Sequence, residues 1–291
     1  MGKETILNQF SSEMAHPLMD RLDILEHKQY MKEGFLLINR YRIEQFFGAC
    51  SMGQVFLCLD ELENKRFALK AIHPKLTIDL DIKERLKKDF HIAQKMDDSR
   101  IVQIYELIED PTTGHLYYTM ELVDGETLSQ WLHKIKPGEL PMSLGEVLNF
   151  VDIVADTLEY AHEKGILHRG LTPVTIMMLS NADVKLMDFG ISATLLNNRN
   201  IKNQHHYTAP ELLSKDTKNS VRSDIYSFGI IVYELLTGLL PIDDFALPSQ
   251  ISNKLPKELD PVILKAIQQD PTKRFSSVQA FQQTLHSIIQ S

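Results

Sequence analysis

Cysteine is scarce in this chain of 291 residues, which contains only Cys50 and Cys58. Two cysteines eight residues apart cannot build a disulfide framework or a zinc site. We therefore expect both to be small buried side chains, in a protein from a reducing compartment.

Long apolar runs are also missing. The nearest one, residues 229–242, is interrupted by Glu234 and falls short of the roughly 18 apolar residues of a membrane-spanning helix. The N-terminal residues have no apolar core typical of a signal peptide, and Ile6 stands where the N-myristoylation pattern requires Ser or Thr. The sequence therefore predicts a cytoplasmic protein without a membrane span, with export by a non-classical route left open.

Positive charge is not in excess. The chain has 31 Lys and Arg against 39 Asp and Glu, which gives a formal net charge of -8 at pH 7. Nucleic-acid binding needs clustered basic residues, so we expect no nucleic-acid partner. With 43% apolar and 24% charged residues, the composition is that of a globular chain with a substantial core.

Residues 1–38 differ from the rest of the chain. They are rich in methionine, have mixed charge and are interrupted by Pro17. Their apolar residues at loosely helical spacing are Phe10, Met14, Leu18, Leu22 and Leu25. We consider two interpretations of this extension: a helical arm packed on the main domain, or a docking segment for a partner protein.

The main domain, residues 39–291, begins with a part that is rich in predicted strands. Short apolar runs with partial alternation are typical of strands, and they cover residues 40–48, 54–60, 66–72, 101–109 and 115–123.

Residues 81–96 are predicted to form a helix among these strands. Asp89 shares its inward face with Ile82, Leu86 and Phe90, and a carboxylate on an apolar face requires a partner. The basic residues assigned to its solvated face are Lys83, Arg85, Lys87 and Lys88.

The second part of the main domain is predicted to be helical. Ser143 and Glu146 form a capping-box pattern before a helix that runs to Gly165. Further helices are expected over residues 221–237, 260–269 and 276–289. This order predicts an α+β fold with an N-lobe over about residues 39–122, a hinge at 123–125 and a C-lobe over 126–291.

The strand-rich part contains residues suited to phosphate binding. Gly48 and Gly53 lie between two predicted strands, where glycines let the backbone turn tightly and approach phosphates. Lys70 stands in an apolar strand; alone it is typical of an edge residue that points to solvent. After a phosphate loop it becomes a candidate phosphate-binding cation, with Asp89 as its natural ion-pair partner.

Several short motifs follow in the helical part. They are His168-Arg169-Gly170, Asp188-Phe189-Gly190, Ala209-Pro210-Glu211, a segment around Asp224 and a segment around Arg274. Each motif alone is frequent by chance, but this order and spacing are not. Over residues 39–289 the chain resembles the protein kinase superfamily, and it is most similar to the bacterial eukaryotic-like Ser/Thr kinases. The resemblance implies a two-lobed fold with a small β-rich N-lobe and a larger α-helical C-lobe.

The resemblance also implies a site for ATP. Gly48 and Gly53 correspond to the first and third glycines of the phosphate loop, and Cys50 stands at the second. Lys70 corresponds to the lysine that holds the phosphates, and Asp89 replaces its usual glutamate partner. The residues implied around the adenine are Val55, Ala68, Met120 as gatekeeper, Met177, and the backbones of Glu121 and Val123. Asp188 would bind the metal ion.

Four positions depart from the family pattern where phosphoryl transfer takes place. Gly170 replaces the catalytic aspartate, Thr172 the lysine that stabilises the transferred group, and Thr175 a metal-binding asparagine. Gln204 replaces a threonine that contacts the first two. Structural positions such as Asp224 are retained, so the pattern indicates that the supports of the fold remain while the transfer chemistry is lost.

Three functions follow from this pattern. The first is a pseudokinase that binds ATP, with Mg²⁺ held weakly, and has a signalling role through protein partners. The second is an enzyme of low or non-standard transferase activity that uses Asp188. The third is a scaffold that binds no nucleotide, with residues 1–38 as its docking segment.

Overall fold

The computed structural model describes residues 29–50, 52–77, 79–136, 139–181, 183–191, 206–213 and 220–290. They divide into two compact units. Unit 1 comprises the described residues up to Glu84 together with Ile104–Asp124, and unit 2 comprises Arg85–Gln103 together with those from Gly125 onward. The boundaries predicted from the sequence differ for residues 85–103, which they assign to the N-lobe.

Unit 1 is built on an antiparallel sheet of six strands in the order β1-β2-β3-β4-β6-β5. The strands are β1 (Leu36–Leu37), β2 (Tyr41–Cys50), β3 (Gly53–Asp60), β4 (Lys65–Ile72), β5 (Ile104–Glu109) and β6 (Leu116–Met120). Strands β2 to β6 overlap the predicted apolar runs, whereas β1 lies before the first of them, and residues 61–64 form a turn between β3 and β4.

Alternate residues of these strands form the apolar core of unit 1, as the period of two predicts. In β3 the buried pair is Phe56 and Cys58, and in β4 it is Leu69 and Ala71, each at most 1% exposed. Burial of one large apolar side chain stabilises a fold by about 1.5–3 kcal/mol. A shift of one residue would move these side chains to the other face of the sheet, so their burial fixes its register.

Arg40 and Asp60 tie the beginning of β2 to the end of β3. The guanidinium of Arg40 donates to Oδ2 of Asp60 at 2.7 and 2.9 Å and to Glu106 in β5 at 2.9 Å. Burial opposes ionisation of Asp60, but hydrogen bonds from Arg40 and from the Leu62 backbone outweigh it and lower its pKa. The carboxylate therefore stays charged at the base of the turn.

Two helices, α1 (Pro74–Thr77) and α2 (Leu80–Ala93), follow β4. In α2, Leu86 and Phe90 are buried as predicted, and Asp89 is half-buried. The assignment of Lys83 to the solvated face is wrong. Lys83 is 9% exposed, and its ammonium donates to Glu109 at 2.6 Å and to the Gly114 carbonyl at 2.8 Å.

Unit 2 is mainly helical. Its helices are α3 (Leu128–Leu132), α4 (Leu144–Glu163), α5 (Val221–Thr237), α6 (Pro248–Ile251), α7 (Leu259–Ala266) and α8 (Val278–Ile289). Of the helices in the described ranges, none is long and apolar enough to cross a membrane.

Local signals fix where the two long helices begin and end. The capping box before α4 forms as predicted, with Ser143 and Glu146 each accepting a backbone N–H of the other. Helix α5 ends at Gly238, whose φ of 72° suits glycine. Within α5, a Cβ on Gly229 would come within 2.8 Å of the Ala266 Cβ, so glycine permits the close packing of α5 against α7.

A small antiparallel sheet of unit 2 has the order β7-β8-β9. Its strands are β7 (Gly125–Thr127), β8 (Ile176–Leu179) and β9 (Val184–Leu186). Strands β8 and β9 are joined by a short turn, and the segments before β8 and after β9 carry the two motifs predicted to be functional. The sheet therefore positions residues 168–175 beside residues 187–190.

Candidate functional site

The glycine-rich hairpin, of which the structure describes residues 48–50 and 52–53, joins β2 to β3 in unit 1. Its Cα partners are Gly48 with Val55 and Cys50 with Gly53. Gly53 has a φ of 148°, and a Cβ there would lie 1.8 Å from the carbonyl oxygen of Ala71. Only glycine fits this position, whereas a Cβ on Gly48 would meet nothing within 4 Å.

Cys50 occupies the position of the second glycine without backbone strain. It is not among the described residues with a positive φ, so a side chain is tolerated there. The expectation that both cysteines are buried is wrong for Cys50, which is partly exposed, and correct for Cys58. The reason is that Cys50 ends β2 at the tip of the hairpin, whereas Cys58 lies within the core.

Lys70 is buried in β4, with 2% of its surface exposed. Its Cα partners are Val55 in β3 and Tyr118 in β6. The ammonium lies 3.8 Å from Sδ of Met52 and 5.8 Å from the centre of the Tyr118 ring. The interpretation of an edge residue pointing to solvent is therefore wrong. A buried lysine requires compensating groups, and such residues concentrate at functional sites.

The predicted adenine-contacting residues of unit 1 lie close together. Ala68 in β4 and Met120 in β6 are Cα partners in adjacent strands, with 5% and 4% of their surfaces exposed. Strand β6 ends at Met120, and the following Glu121 and Val123 are half-buried outside regular structure. Their backbone groups are thus not used in the sheet.

Asp188 and Met177 belong to unit 2. Met177 lies in the middle strand of the small sheet, paired with Thr127 and Lys185. Asp188 follows β9 with a φ of 64° and is 5% exposed. The Met187 N–H donates to the Thr175 carbonyl at 3.0 Å, which holds Asp188 beside residues 172–175. The pairing of Lys70 with Asp89, which lies in unit 2, stays a prediction.

Asp224 supports the loop that begins at His168. Its carboxylate accepts the backbone N–H groups of His168 at 2.9 Å and Arg169 at 2.8 Å, and His162 Nε2 lies 2.8 Å from Oδ2. Burial opposes ionisation of Asp224, but the contact with His162 outweighs it and lowers the pKa. Burial lowers the pKa of His168, whose ring lies 4.6 Å from that of Phe189.

The altered positions of this loop are engaged with the loop itself. The Thr175 hydroxyl accepts the Thr172 N–H at 3.1 Å and donates to the Thr172 carbonyl at 3.0 Å. Thr172 is 6% exposed, and its own hydroxyl has no hydrogen-bond partner in the described part of the chain. Gly170 has no side chain. None of these three residues presents a carboxylate, a cation or an amide.

The segment after Asp188 is anchored at its far end. Glu211 accepts a bidentate pair of hydrogen bonds from Arg274 at 2.7 and 2.8 Å. Burial opposes the ionisation of Glu211, but Arg274 outweighs it and lowers the pKa. Gln204 lies outside the described residues, so its predicted role stays a prediction.

One pair of residues was missed by the sequence analysis. The Tyr207 hydroxyl donates to Oε2 of Glu234 at 2.6 Å, which joins the segment before Glu211 to α5. Burial raises the pKa of Glu234 to about 7, with the Tyr207 hydrogen bond acting in the opposite direction. The signal in the sequence was a single glutamate within the apolar run of residues 229–242.

Asp188 is the predicted metal ligand of unit 2. In the described residues no cluster of three or more His, Cys, Asp or Glu side chains can hold a metal ion. Asp188 supplies a carboxylate that suits Mg²⁺, but the hydroxyl of Thr175 is committed to the backbone of Thr172. These residues fit one cation held by Asp188 better than two.

Comparison with known proteins identifies related sequences and structures. The protein kinase domain family matches residues 41–286. The chain is 31% identical over 271 residues to the serine/threonine-protein kinase Pkn1 of Myxococcus xanthus, covering 84% of this chain and 38% of that protein. It is 29% identical over 274 residues to a probable serine/threonine-protein kinase of Clostridium acetobutylicum, covering 88% and 41%.

Solved structures agree with these relatives. The PknI kinase domain of Mycobacterium tuberculosis matches with a TM-score of 0.75 at 26% identity, over 90% of this chain and 100% of that chain. The match confirms the predicted α+β fold with a β-rich N-lobe and a helical C-lobe. The chain spans about two fifths of the length of the curated relatives it matches.

Proposed function

Because the chain belongs to the protein kinase family, we propose that it is a domain of the Ser/Thr kinase type that binds ATP without transferring its phosphate. Its output is then the recognition of protein partners. Lys70 and the glycine-rich hairpin would hold the phosphates, and Asp188 would hold a single Mg²⁺ weakly.

The hydrogen bonding of Thr175 carries the proposal that transfer is lost. A family member needs an amide at this position to hold a second metal ion, and here the hydroxyl is bonded to the backbone of Thr172. Gly170 cannot act as a base, and a positioned base contributes about 10²–10⁴ in rate. A kinase turnover of about 1–100 s⁻¹ would thus fall below useful values.

Nucleotide binding is supported by features of each unit. In unit 1 the ammonium of Lys70 is buried beside a hairpin that only glycine can form at position 53. In unit 2 the carboxylate of Asp188 is 5% exposed and held in place by the Met187–Thr175 hydrogen bond. A purely structural role would not require a buried lysine at position 70 or a buried aspartate at position 188.

Restoring the family residues tests the loss of transfer. We expect the wild-type chain to transfer no γ-phosphate to a generic protein substrate. The triple variant Gly170→Asp, Thr172→Lys, Thr175→Asn should gain transfer, and adding Asp188→Ala should remove it again. Transfer by the wild type that disappears in Asp188→Ala alone would contradict the proposal.

Thermal melting with ATP, in the presence and absence of Mg²⁺, tests nucleotide binding. A ligand at about 100 times its dissociation constant stabilises the folded state by about 2.7 kcal/mol, which raises the melting temperature by a few degrees. Lys70→Met should abolish the shift, whereas the exposed Lys88→Ala in α2 should keep it. The absence of a shift in the wild type would favour the nucleotide-independent scaffold.

A second candidate function is a transferase of low or non-standard activity. It is favoured by the retention of Lys70 and Asp188, which a chain without any ATP chemistry does not need. Incubation with ATP labelled in turn on the γ-phosphate and on the adenine distinguishes phosphoryl transfer from nucleotide transfer. Label that stays on the wild-type chain or on a substrate after denaturation would favour this function.

A further inference from the structure

Residues 29–31, here called the N-terminal staple, contact β3 and the residue that follows β4. The backbone N–H of Tyr30 donates to Oε1 of Gln54 at 2.8 Å, and Gln54, the second residue of β3, is 2% exposed. The Tyr30 ring meets the edge of the His73 ring, with 6.0 Å between ring centres and an interplanar angle of 85°. His73 follows the last residue of β4.

Met31 fixes the staple to the rest of unit 1. It is 4% exposed and belongs to the apolar core of the sheet. Burial of Met31 therefore anchors the staple in the core, and the neighbouring Tyr30 bonds it to Gln54 in β3. Its contacts to Gln54 in β3 and to His73 after β4 restrict the movement of the adjacent hairpin residues.

The contacts continue from the staple to Lys70. The His73 N–H donates to the carbonyl oxygen of Met52 at 2.7 Å. Met52 lies at the tip of the hairpin, is 3% exposed, and places its sulfur 3.8 Å from the Lys70 ammonium. Tyr30, His73, Met52 and Lys70 thus form a continuous path within unit 1.

We propose that the N-terminal staple holds the glycine-rich hairpin in a closed position, with Met52 against Lys70, and thereby acts as a brake on nucleotide binding. Tyr30, Gln54 and His73 are positioning residues in this arrangement. The brake presupposes the nucleotide binding proposed above, whereas the closed position of the hairpin does not.

The physical basis of the brake is competition for one ammonium. A thioether is a weak acceptor, whereas phosphate oxygens form strong, charge-assisted hydrogen bonds with lysine. A bound phosphate would replace Met52 at Lys70, and Met52 would then lose part of its burial. The staple adds to the cost of that movement because it fixes Gln54 and His73.

The reactivity of Cys50 reports the position of the hairpin without any nucleotide. Cys50 is partly exposed in the hairpin, whereas Cys58 is buried, and burial raises the pKa of Cys58 to about 12. A thiol reagent on the folded chain therefore labels Cys50 first, and the variant Cys50→Ser should abolish this labelling. A hairpin that leaves its closed position exposes Cys50 more fully, so the labelling rate increases when the hairpin is held less firmly.

Four variants test the staple by this rate. Tyr30→Ala removes the ring contact with His73, and Gln54→Ala removes the acceptor of the Tyr30 N–H. We expect each to raise the labelling rate about fivefold, the effect of losing one interaction of about 1 kcal/mol. Tyr30→Phe keeps the ring and should match the wild type. Leu62→Ala, at an exposed turn of the same unit, is the control for a truncation away from the staple and should match the wild type.

Nucleotide affinity provides the second test. Titration with a fluorescent ATP analogue should show binding about fivefold tighter in Tyr30→Ala than in the wild type, for the same reason. Met52→Ala should also bind more tightly, and Tyr30→Ala should have no further effect in that background. Such non-additivity would mean that both changes act on one contact.

The two tests separate the staple from the proposed function. An unchanged labelling rate in both Tyr30→Ala and Gln54→Ala would overturn the staple, even if every variant binds nucleotide. Faster labelling with unchanged or weaker nucleotide affinity would overturn the brake. If labelling accelerates and no variant binds nucleotide, the result supports the closed position of the hairpin. It then contradicts both the brake and the proposed nucleotide binding.

Discussion

The phenolic hydroxyl of Tyr207 and the carboxylate of Glu234 form a 2.6 Å hydrogen bond in unit 2. Glu234 lies in the last turn of α5, the helix whose residues are almost all buried. Tyr207 precedes Ala209-Pro210-Glu211, so the bond attaches this motif to the core helix. Burial also raises the pKa of Tyr207, with Glu234 adding to the effect, so the proton stays on the phenol.

This pair predicts a pH dependence of stability. The pKa of Glu234 is raised from 4.5 to about 7 in the folded chain, so the folded state binds more protons than the unfolded state between these values. The contribution of Glu234 to the free energy of unfolding should therefore be highest below about pH 4.5 and decrease as the pH rises through 7. The expected decrease is on the order of 3 kcal/mol, at 1.36 kcal/mol per pKa unit.

Urea denaturation at several pH values between 5 and 8 measures this effect. Glu234→Gln removes the titrating group and keeps an acceptor for Tyr207, so its unfolding free energy should lack this contribution. The quantity to compare is the difference between wild type and variant at each pH. A difference that does not change with pH would show that Glu234 titrates alike in the folded and unfolded chain.

The Thr175 hydroxyl predicts a local stability effect. Thr175→Val keeps the shape but leaves the buried Thr172 N–H without its acceptor, which costs about 1–3 kcal/mol. We expect this decrease in the free energy of unfolding in denaturant titrations. Thr175→Ser retains the hydroxyl and serves as the control, with a much smaller change. Equal stability of the two variants would mean that the hydroxyl is not engaged with the loop.

Gly53 predicts a steric effect in the glycine-rich hairpin. Gly53→Ala would place a Cβ 1.8 Å from the Ala71 carbonyl oxygen at a φ of 148°, so strands β3 and β4 would have to separate. We expect a loss of more than about 2 kcal/mol in unfolding free energy, within the range of strained or overpacked sites.

Gly145→Ala is the matched control for Gly53→Ala. Gly145 lies in the first turn of α4, where a Cβ would meet nothing within 4 Å. Alanine is a better helix former than glycine by about 1 kcal/mol, so this variant should be as stable as the wild type or more stable. Thermal melting of both variants is sufficient, and a Gly53→Ala variant that melts like Gly145→Ala would contradict the close approach of the strands.

The elements of the fold could be predicted because their signals are local. The capping box at Ser143 and Glu146 and the terminal Gly238 fix helix ends through neighbouring residues alone. The burial of Lys70 could not be predicted from its strand, since it depends on Met52 in the hairpin and on Tyr118 in β6. Its position after the two glycines and the resemblance to a family predicted a role in phosphate binding.

Long-range polar contacts account for the other errors. The pairing of Tyr207 with Glu234 joins residues 27 positions apart, and no spacing rule relates them. Lys83 was assigned to solvent because of its charge, although its spacing of three and seven residues from Leu86 and Phe90 places it on the same face of the helix. The structure gives it partners 26 and 31 residues away, which no pattern within the helix can reveal.

Lys83 therefore gives the last prediction. Its ammonium is bonded to Glu109 and to the Gly114 carbonyl, at 2.6 and 2.8 Å, so it attaches the first turns of α2 to the hairpin between β5 and β6. Lys83→Met keeps most of the side-chain volume and removes both bonds. Hydrogen bonds to charged groups contribute about 1.5–3 kcal/mol, but Glu109 is 42% exposed and solvent screening reduces this to about 1 kcal/mol.

The matched control is Lys88→Ala on the exposed side of the same helix, which should change stability by less than about 0.5 kcal/mol. Glu109→Gln separates the two bonds of Lys83, because it removes the ion pair and leaves the Gly114 carbonyl in place. Denaturant titrations of the three variants should rank them with Lys83→Met the least stable. A Lys83→Met variant as stable as Lys88→Ala would mean that α2 is held by its apolar side chains alone, as the assignment of Lys83 to solvent implied.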